Sequence, residues 1–104
     1  MIKVKLEIWM PLGRSLGNDF HTPSDTHSIW EHEIEDGVTV GKLFDQLAEN
    51  YQPIREKIFE RARHRFYPDV VVTLNNQTIY AHELYDRVLK EGDKVAVLSI
   101  LPGG

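Results

Sequence analysis

Residues 89–104 read LKEGDKVAVLSILPGG, and this stretch decides how the chain is organised. Gly92 and Asp93 are turn-forming residues and predict a tight turn. Residues 94–101 then predict a strand that is apolar on both faces. A strand of this composition is typical of the inside of a sheet. We therefore expect it to pair with other strands of the chain.

Residues 2–8 predict the first strand, because apolar and charged side chains alternate along it. Ile2, Val4, Leu6 and Ile8 point to one face, and the residues between them are Lys3, Lys5 and Glu7. This alternation indicates a strand with one covered and one wet face. Further strands are predicted at residues 29–35, 70–74 and 78–80, with turns at Asp36-Gly37 and Asn75-Asn76.

Two helices are predicted between these strands. Thr39 is a favourable N-cap, and apolar residues recur at helical spacing from residue 40 to residue 51. Pro53 suits the first turn of a second helix over residues 53–66. Residues 82–90 predict one or two further helical turns. Strands on either side of a helical segment indicate an α+β domain with one mixed sheet. If the first and last strands lie side by side in its centre, the main helix covers one face.

Residues 10–28 show no periodicity and are rich in Pro, Gly, Ser, Asn and Asp. A structureless connection longer than about 12–15 residues is uncommon in a compact domain. The segment is therefore a functional or mobile loop, or it contains a short element without a readable pattern. Its few apolar residues are expected to bury little area.

Length and composition restrict the classes of protein that fit. The chain has 104 residues, of which 41% are hydrophobic, and this suits one globular domain over residues 1–104. A net charge of −4 argues against nucleic-acid binding. The absence of cysteine excludes disulfides, thiolate zinc sites and a cysteine nucleophile. No stretch has the length of a signal-peptide core or a membrane span, so we expect a soluble, cytoplasmic protein.

The titratable residues form no recognisable catalytic or metal-binding set. His27 and His32 are five residues apart near a strand, so they are predicted to point to opposite faces. The basic run 55–65 and the acidic run 31–36 are typical of solvent-exposed surfaces. The alternatives are that the basic run binds an anion or RNA and that the acidic run binds a basic partner. We expect no metal, no bound cofactor and no active site within the chain.

The last residues, 102–104, are expected to form an extended, flexible tail. Pro102 stiffens the exit from the last strand. Gly103 and Gly104 have no side chains, so they can pass through a slot too narrow for other residues. A slim peptide with a free carboxylate suits the nucleotide pocket of another enzyme.

Three segments resemble the ThiS/MoaD family of ubiquitin-like sulfur carriers. They are the terminal LKEGDKVAVLSILPGG, the helical GVTVGKLFDQLAENYQP and the segment LNNQTIY. The resemblance implies a ubiquitin-like β-grasp fold. It has a mixed sheet of four to five strands, with one main helix and an added second helix on one face.

The resemblance also implies a carrier rather than an enzyme. A ubiquitin-activating-type enzyme would use ATP to adenylate the carboxylate of Gly104, and a sulfur donor would convert the adenylate to a thiocarboxylate. The sulfur would pass to the large subunit of molybdopterin synthase or to thiazole synthase, with the chain acting as the small subunit of a synthase complex. The molybdopterin pathway is favoured over thiamine, because the chain is not of minimal size.

The partner surface is expected on the sheet face opposite the helix. Strand alternation places Val71, Ala96, Leu98 and Ile100 there, and the resemblance implies that Leu98 and Ile79 expose apolar side chains to the activating enzyme. Two alternatives remain open. One is a ubiquitin-like modifier that is joined through Gly104 to target lysines, and the other is a β-grasp binding module that is never activated. No nucleic acid or membrane partner is expected.

Overall fold

The computed structural model describes residues 1–100, which form eight strands and two α-helices around one hydrophobic core. In chain order the elements are β1 (Ile2–Trp9), β2 (His21–Ser24), β3 (His27–Ile34), α1 (Val40–Asn50), α2 (Gln52–Lys57), β4 (Phe59–Glu60), β5 (Arg65–Phe66), β6 (Val70–Leu74), β7 (Gln77–Thr78) and β8 (Lys94–Ser99). Short 3₁₀ turns lie at Arg61–Arg63 and Ala81–Glu83.

The main sheet has six strands in the order β2-β3-β1-β8-β6-β7. The first and last strands of the chain lie side by side in its centre and are parallel, with Leu6 opposite Val95. β3 and β6 flank this pair and are antiparallel to it. The predicted central pairing is therefore confirmed, and it makes the sheet mixed.

Helix α1 covers one face of the sheet, as its sequence predicts. The Thr39 hydroxyl accepts a hydrogen bond from the Lys42 N–H at 3.2 Å, which caps the first turn. The apolar stripe of the helix is buried, and its members are Val40, Leu43, Phe44, Leu47 and Ala48. The alternate strand residues predicted to face the helix are buried too, apart from the partly buried Ile2; they are Val4, Leu6, Val70, Val72, Val95 and Val97.

The predicted helix over residues 53–66 is wrong beyond its first turns. Helix α2 ends at Lys57, and the chain then forms the hairpin of β4 and β5, in which Phe59 lies opposite Phe66. His64 adopts a left-handed conformation with φ of 51° at the turn of this hairpin. The aromatic pair packs edge to face at 5.2 Å, and Phe59 is fully buried. A helix would place residues 59 and 66 on one face but about 10 Å apart along its axis, so only the hairpin brings the two rings into contact.

Residues 10–28 contain the short element that was one of the two expected alternatives, but they bury more area than expected. They contain β2 and the start of β3, and their apolar residues are buried, namely Met10, Leu12, Leu16 and Phe20. The expectation that they bury little area is therefore wrong. Backbone turns with positive φ at Gly13 and Gly17 bring these side chains inward without regular spacing.

The fold is a ubiquitin-like β-grasp of the α+β class, as predicted. The main sheet has six strands rather than four or five, because β2, which was not predicted, extends one edge. The two-residue β7 at the other edge overlaps the strand predicted at residues 78–80. Residues 82–90 contain less helix than predicted, since the 3₁₀ turn ends at Glu83. The predicted tail at 102–104 lies outside the described residues.

Candidate partner-binding surface

The candidate site lies on the outer face of the sheet, opposite α1. Along β8 the side chains alternate: Val95 and Val97 are fully buried beneath the helix, whereas Leu98 is 37% exposed. Ala96 is half-buried on the same outer face. The two central strands therefore present a second face that carries apolar side chains and has no helix over it.

Three exposed apolar side chains meet at the end of β8. Leu98 lies between Trp9 on β1 and Val71 on β6 in the register of the sheet. Trp9 is 45% exposed and Ile100 is 58% exposed, while Val71 is half-buried. We call Trp9, Val71, Leu98 and Ile100 the β8 patch. An exposed apolar cluster of this kind makes the β8 patch a candidate contact surface.

The β8 patch is directly continuous with the end of the chain. The Ile100 N–H donates to the Asp69 carbonyl at 2.8 Å, which extends the pairing beside β6 beyond the last residue of β8. Leu101 follows in sequence. Pro102, Gly103 and Gly104, the tail residues singled out from the sequence, lie outside the described residues. A partner that contacts the patch would thus meet the chain immediately before the tail.

Ile79 does not belong to the β8 patch. It is only 5% exposed and is part of the hydrophobic core, so the expectation that it is exposed is wrong. β7 ends at Thr78, and the Ile79 N–H donates to the Val72 carbonyl at 2.8 Å. This bond continues the pairing with β6 by one residue, and because Val72 is a core residue, Ile79 lies on the core side of the sheet and not on its outer face.

Trp9 was not predicted as part of the surface. Its position has the same parity as Lys3, Lys5 and Glu7, so the alternation of β1 already assigns it to the outer face. Its register with Leu98 could not be read from the sequence, because it depends on the parallel pairing of β1 with β8.

A charged cluster borders the β8 patch. Glu7 is only 9% exposed although it lies on the outer face. His27 Nε2 lies 2.9 Å from one of its oxygens, and the ammonium groups of Lys5 and Lys94 lie 3.9 and 3.7 Å from the other. The His27 ring also stacks on Trp9, with centroids 3.6 Å apart. This cluster holds the indole of Trp9 in place beside Leu98.

A second polar cluster fastens the hairpin of β4 and β5 to α1, far from the patch in sequence. The Tyr85 hydroxyl donates to Asp45 at 2.8 Å, and His64 Nδ1 lies 2.9 Å from the same hydroxyl. Burial, and then the adjacent Asp45 carboxylate, raise the pKa of Tyr85 to about 12. Tyr85 therefore stays protonated and keeps donating at neutral pH.

The remaining charged groups resemble ordinary surface side chains. Arg61 pairs with Glu49, and Arg63 and Arg65 both pair with Glu60. His27 and His32 point to opposite faces, as predicted, because each stacks on a different tryptophan: Trp9 outside and Trp30 inside. Within residues 1–100 no three His, Asp or Glu side chains are arranged to hold a metal ion.

Comparison with known proteins gives a family and a fold. The model of the ThiS family matches residues 26–104. No curated protein is significantly similar to the chain in sequence. None of the helices formed by residues 1–100 is long and apolar enough to cross a membrane.

Several solved structures share the fold. SAMP1 from Haloferax volcanii is 17% identical with a TM-score of 0.69, over 98% of this chain and 99% of that one. A second structure, of small archaeal modifier protein 1 from H. volcanii, is 15% identical with a TM-score of 0.69, over 97% of this chain and 100% of that one. A putative molybdopterin converting factor, subunit 1, from Pyrococcus furiosus is 21% identical with a TM-score of 0.64, over 97% of this chain and 100% of that one. At these identities the likeness shows a shared fold.

Proposed function

The chain belongs to the ThiS family, and on that premise we propose that it is a sulfur carrier whose working group is the carboxylate of Gly104. A carboxylate oxygen attacks the α-phosphate of ATP in a ubiquitin-activating-type enzyme and displaces pyrophosphate, which gives an acyl adenylate. Hydrosulfide from a sulfur donor then attacks the carbonyl carbon, AMP leaves as the C–O bond breaks, and loss of the sulfhydryl proton gives a thiocarboxylate. The nucleotide belongs to the partner enzyme, so the carrier binds no cofactor of its own.

The observation that carries this proposal is the β8 patch at the base of the tail. Four residues after Ile100 can extend about 14 Å at most. An enzyme that holds the patch therefore has the terminal carboxylate within a fixed, short reach, and such positioning lowers the entropy cost of the attack. The folded domain supplies the docking surface, and Pro102 and Gly103 supply a slender connection to Gly104.

Mass spectrometry tests the proposal directly. The protein is incubated with the activating enzyme of its own host, ATP and a sulfur donor, and its intact mass is measured. We expect an exchange of one oxygen for sulfur, located at Gly104 by fragmentation. A protein that retains its original mass, while a known carrier is converted by its own enzyme in parallel, would contradict the proposal.

The second candidate function is a ubiquitin-like modifier, which uses the same adenylation. It is favoured by the shared fold with small archaeal modifier protein 1. In that case the deprotonated side-chain amine of a target lysine attacks the carbonyl carbon of the Gly104 adenylate, AMP leaves, and an amide forms with loss of a proton. Higher-mass conjugates that contain the Gly104–lysine linkage, isolated from the native host, would support the modifier over the carrier.

For the sulfur acceptor we favour the large subunit of molybdopterin synthase over thiazole synthase. The fold shared with a putative molybdopterin converting factor, subunit 1, supports this choice. The thiocarboxylated protein is mixed with each acceptor enzyme and its substrate, and loss of sulfur from the terminus is followed. Turnover with thiazole synthase alone would reverse the assignment.

A further inference from the structure

A groove separates β3 from α1 on the inner face of the sheet, two strands away from β8. Its volume is about 290 Å³, and its apolar lining includes Trp30, Ile34, Leu43 and Leu47. This is at the lower limit for a small-molecule site. The groove has room for one or two aliphatic side chains of a partner rather than for a cofactor.

The backbone of β3 has a free edge beside this groove. β2 pairs only with the start of β3, through His21 opposite Ile29 and Ser24 opposite His27. From residue 30 to residue 34, β3 pairs with β1 alone among the described strands. In an antiparallel strand every second residue directs its N–H and C=O away from its partner. These groups can pair with an added strand, as other sheet edges do when they bind extended peptides.

The charges along this edge are acidic. Glu31, Glu33 and Glu35 form no ion pair within residues 1–100, although Lys3 and Lys5 lie opposite two of them on β1. Backbone groups or side chains of Glu33 and Glu35 also line the groove. The edge therefore favours a partner with basic side chains.

We propose that the free edge of β3 binds an extended segment of a partner protein. The segment carries apolar side chains at alternate positions, which enter the groove, and Lys or Arg residues at its ends, which meet Glu31, Glu33 and Glu35. This binding goes beyond the carrier function and does not require residues 101–104.

A peptide titration tests the proposal with the full chain. The ¹⁵N-labelled protein is titrated at low salt with acetyl-Lys-Ile-Thr-Ile-Thr-Val-Lys-Lys amide and followed by NMR. We expect amide shift changes at residues 30–35 and 46–50, together with slower exchange of the edge amides. The same peptide with glutamate in place of all three lysines should bind at least about tenfold more weakly, because its carboxylates would meet Glu31, Glu33 and Glu35.

Charge reversal in the protein provides the matched control. The double variant Glu33→Lys, Glu35→Lys should bind the basic peptide about tenfold more weakly at low salt, and salt should reduce the difference. Glu56→Lys on α2 changes an equally exposed glutamate away from the groove and should keep the affinity. Both spectra should retain the dispersion of the folded wild type.

Four results would overturn the proposal. They are shift changes at the β8 patch instead of the groove, equal binding of the acidic peptide, equal loss of affinity in the Glu56→Lys control, and no binding at millimolar peptide. Concentration-dependent shifts at residues 30–35 without peptide would instead assign the edge to a second copy of this chain.

Discussion

Val97 and Leu98 are neighbours in β8, but their surroundings are opposite. Val97 is fully buried beneath α1, whereas Leu98 is 37% exposed beside Trp9 on the uncovered face. Both residues are aliphatic, so hydrophobicity does not distinguish them. The difference arises because one face of the sheet is covered by α1, whereas no helix formed by residues 1–100 covers the other. An apolar residue on the face beneath α1 is part of the core, whereas one on the outer face is accessible to a partner.

The largest expected effect comes from a charge on the buried face. Val97→Asp places a carboxylate among core side chains where no cation lies, and a buried unpaired charge is among the most destabilising changes known. We expect a loss of more than about 4 kcal/mol in the free energy of unfolding. Urea denaturation followed by circular dichroism measures it. A folded variant of near wild-type stability would show that the two faces of β8 are inverted.

The second effect concerns activation and leaves the fold intact. One alanine added after Gly104 moves the carboxylate by about 3.5 Å. That displacement misplaces it relative to the α-phosphate, so ATP–pyrophosphate exchange with the activating enzyme should fall close to background. Gly103→Val should have a similar effect through its side chain. The unfolding free energy should change by less than about 0.5 kcal/mol in both variants. Full exchange activity of the extended protein, without removal of the alanine, would contradict the carrier proposal.

The third effect tests the uncovered face itself. Leu98→Glu should leave the unfolding free energy within about 0.5 kcal/mol of the wild type, since its side chain already meets water. Binding to the activating enzyme, measured by calorimetry, should weaken at least about tenfold, because one desolvated anchor contributes more than about 1 kcal/mol. Val88→Glu is the control, because Val88 is 47% exposed and lies outside the β8 patch. An equal loss of binding in both variants, or unfolding of Leu98→Glu alone, would remove the distinction between the faces.

The smallest effect concerns the support of Trp9. His27→Ala removes the imidazole ring, which both stacks on Trp9 and pairs with Glu7. Lys5 and Lys94 remain near the Glu7 carboxylate. The loss of one such interaction costs about 1 kcal/mol of unfolding free energy. Binding to the activating enzyme should weaken less than in Leu98→Glu. Tryptophan fluorescence should report a more solvent-exposed Trp9, and an unchanged spectrum would contradict the supporting contact.

Regular local patterns predicted most of the framework. The observed bounds of β1, β6 and α1 agree closely with the predicted ones. Apolar residues recur in the strands with a period of two residues and in the helix with a period of 3.6, without interruption. The predicted positions of Val71, Leu98 and Ile100 on the outer face follow from the same alternation. Their use as a partner surface stays a proposal.

The irregular segments were predicted less well, for identifiable reasons. Ile54, Ile58 and Phe66 fall at spacings that a helix would also bury, but Phe59 and Phe66 meet across a hairpin instead. Met10, Leu12, Leu16 and Phe20 enter the core from a chain that turns repeatedly, so they show no period at all. The exposure of Ile79 was expected from the family resemblance, but its pairing with the buried Val72 places it in the core.

The sequence by itself determined the class of fold, the main helix and the alternation of faces, because these depend on side chains a few residues apart. Its terminal motif also indicated the family that the match over residues 26–104 shows. Only the tertiary structure decided which strands meet. It places Trp9 beside Leu98, surrounds Glu7 with His27, Lys5 and Lys94, and leaves residues 30–34 of β3 paired with β1 alone among the described strands. Such contacts join residues many positions apart, and no local period encodes the register that brings them together.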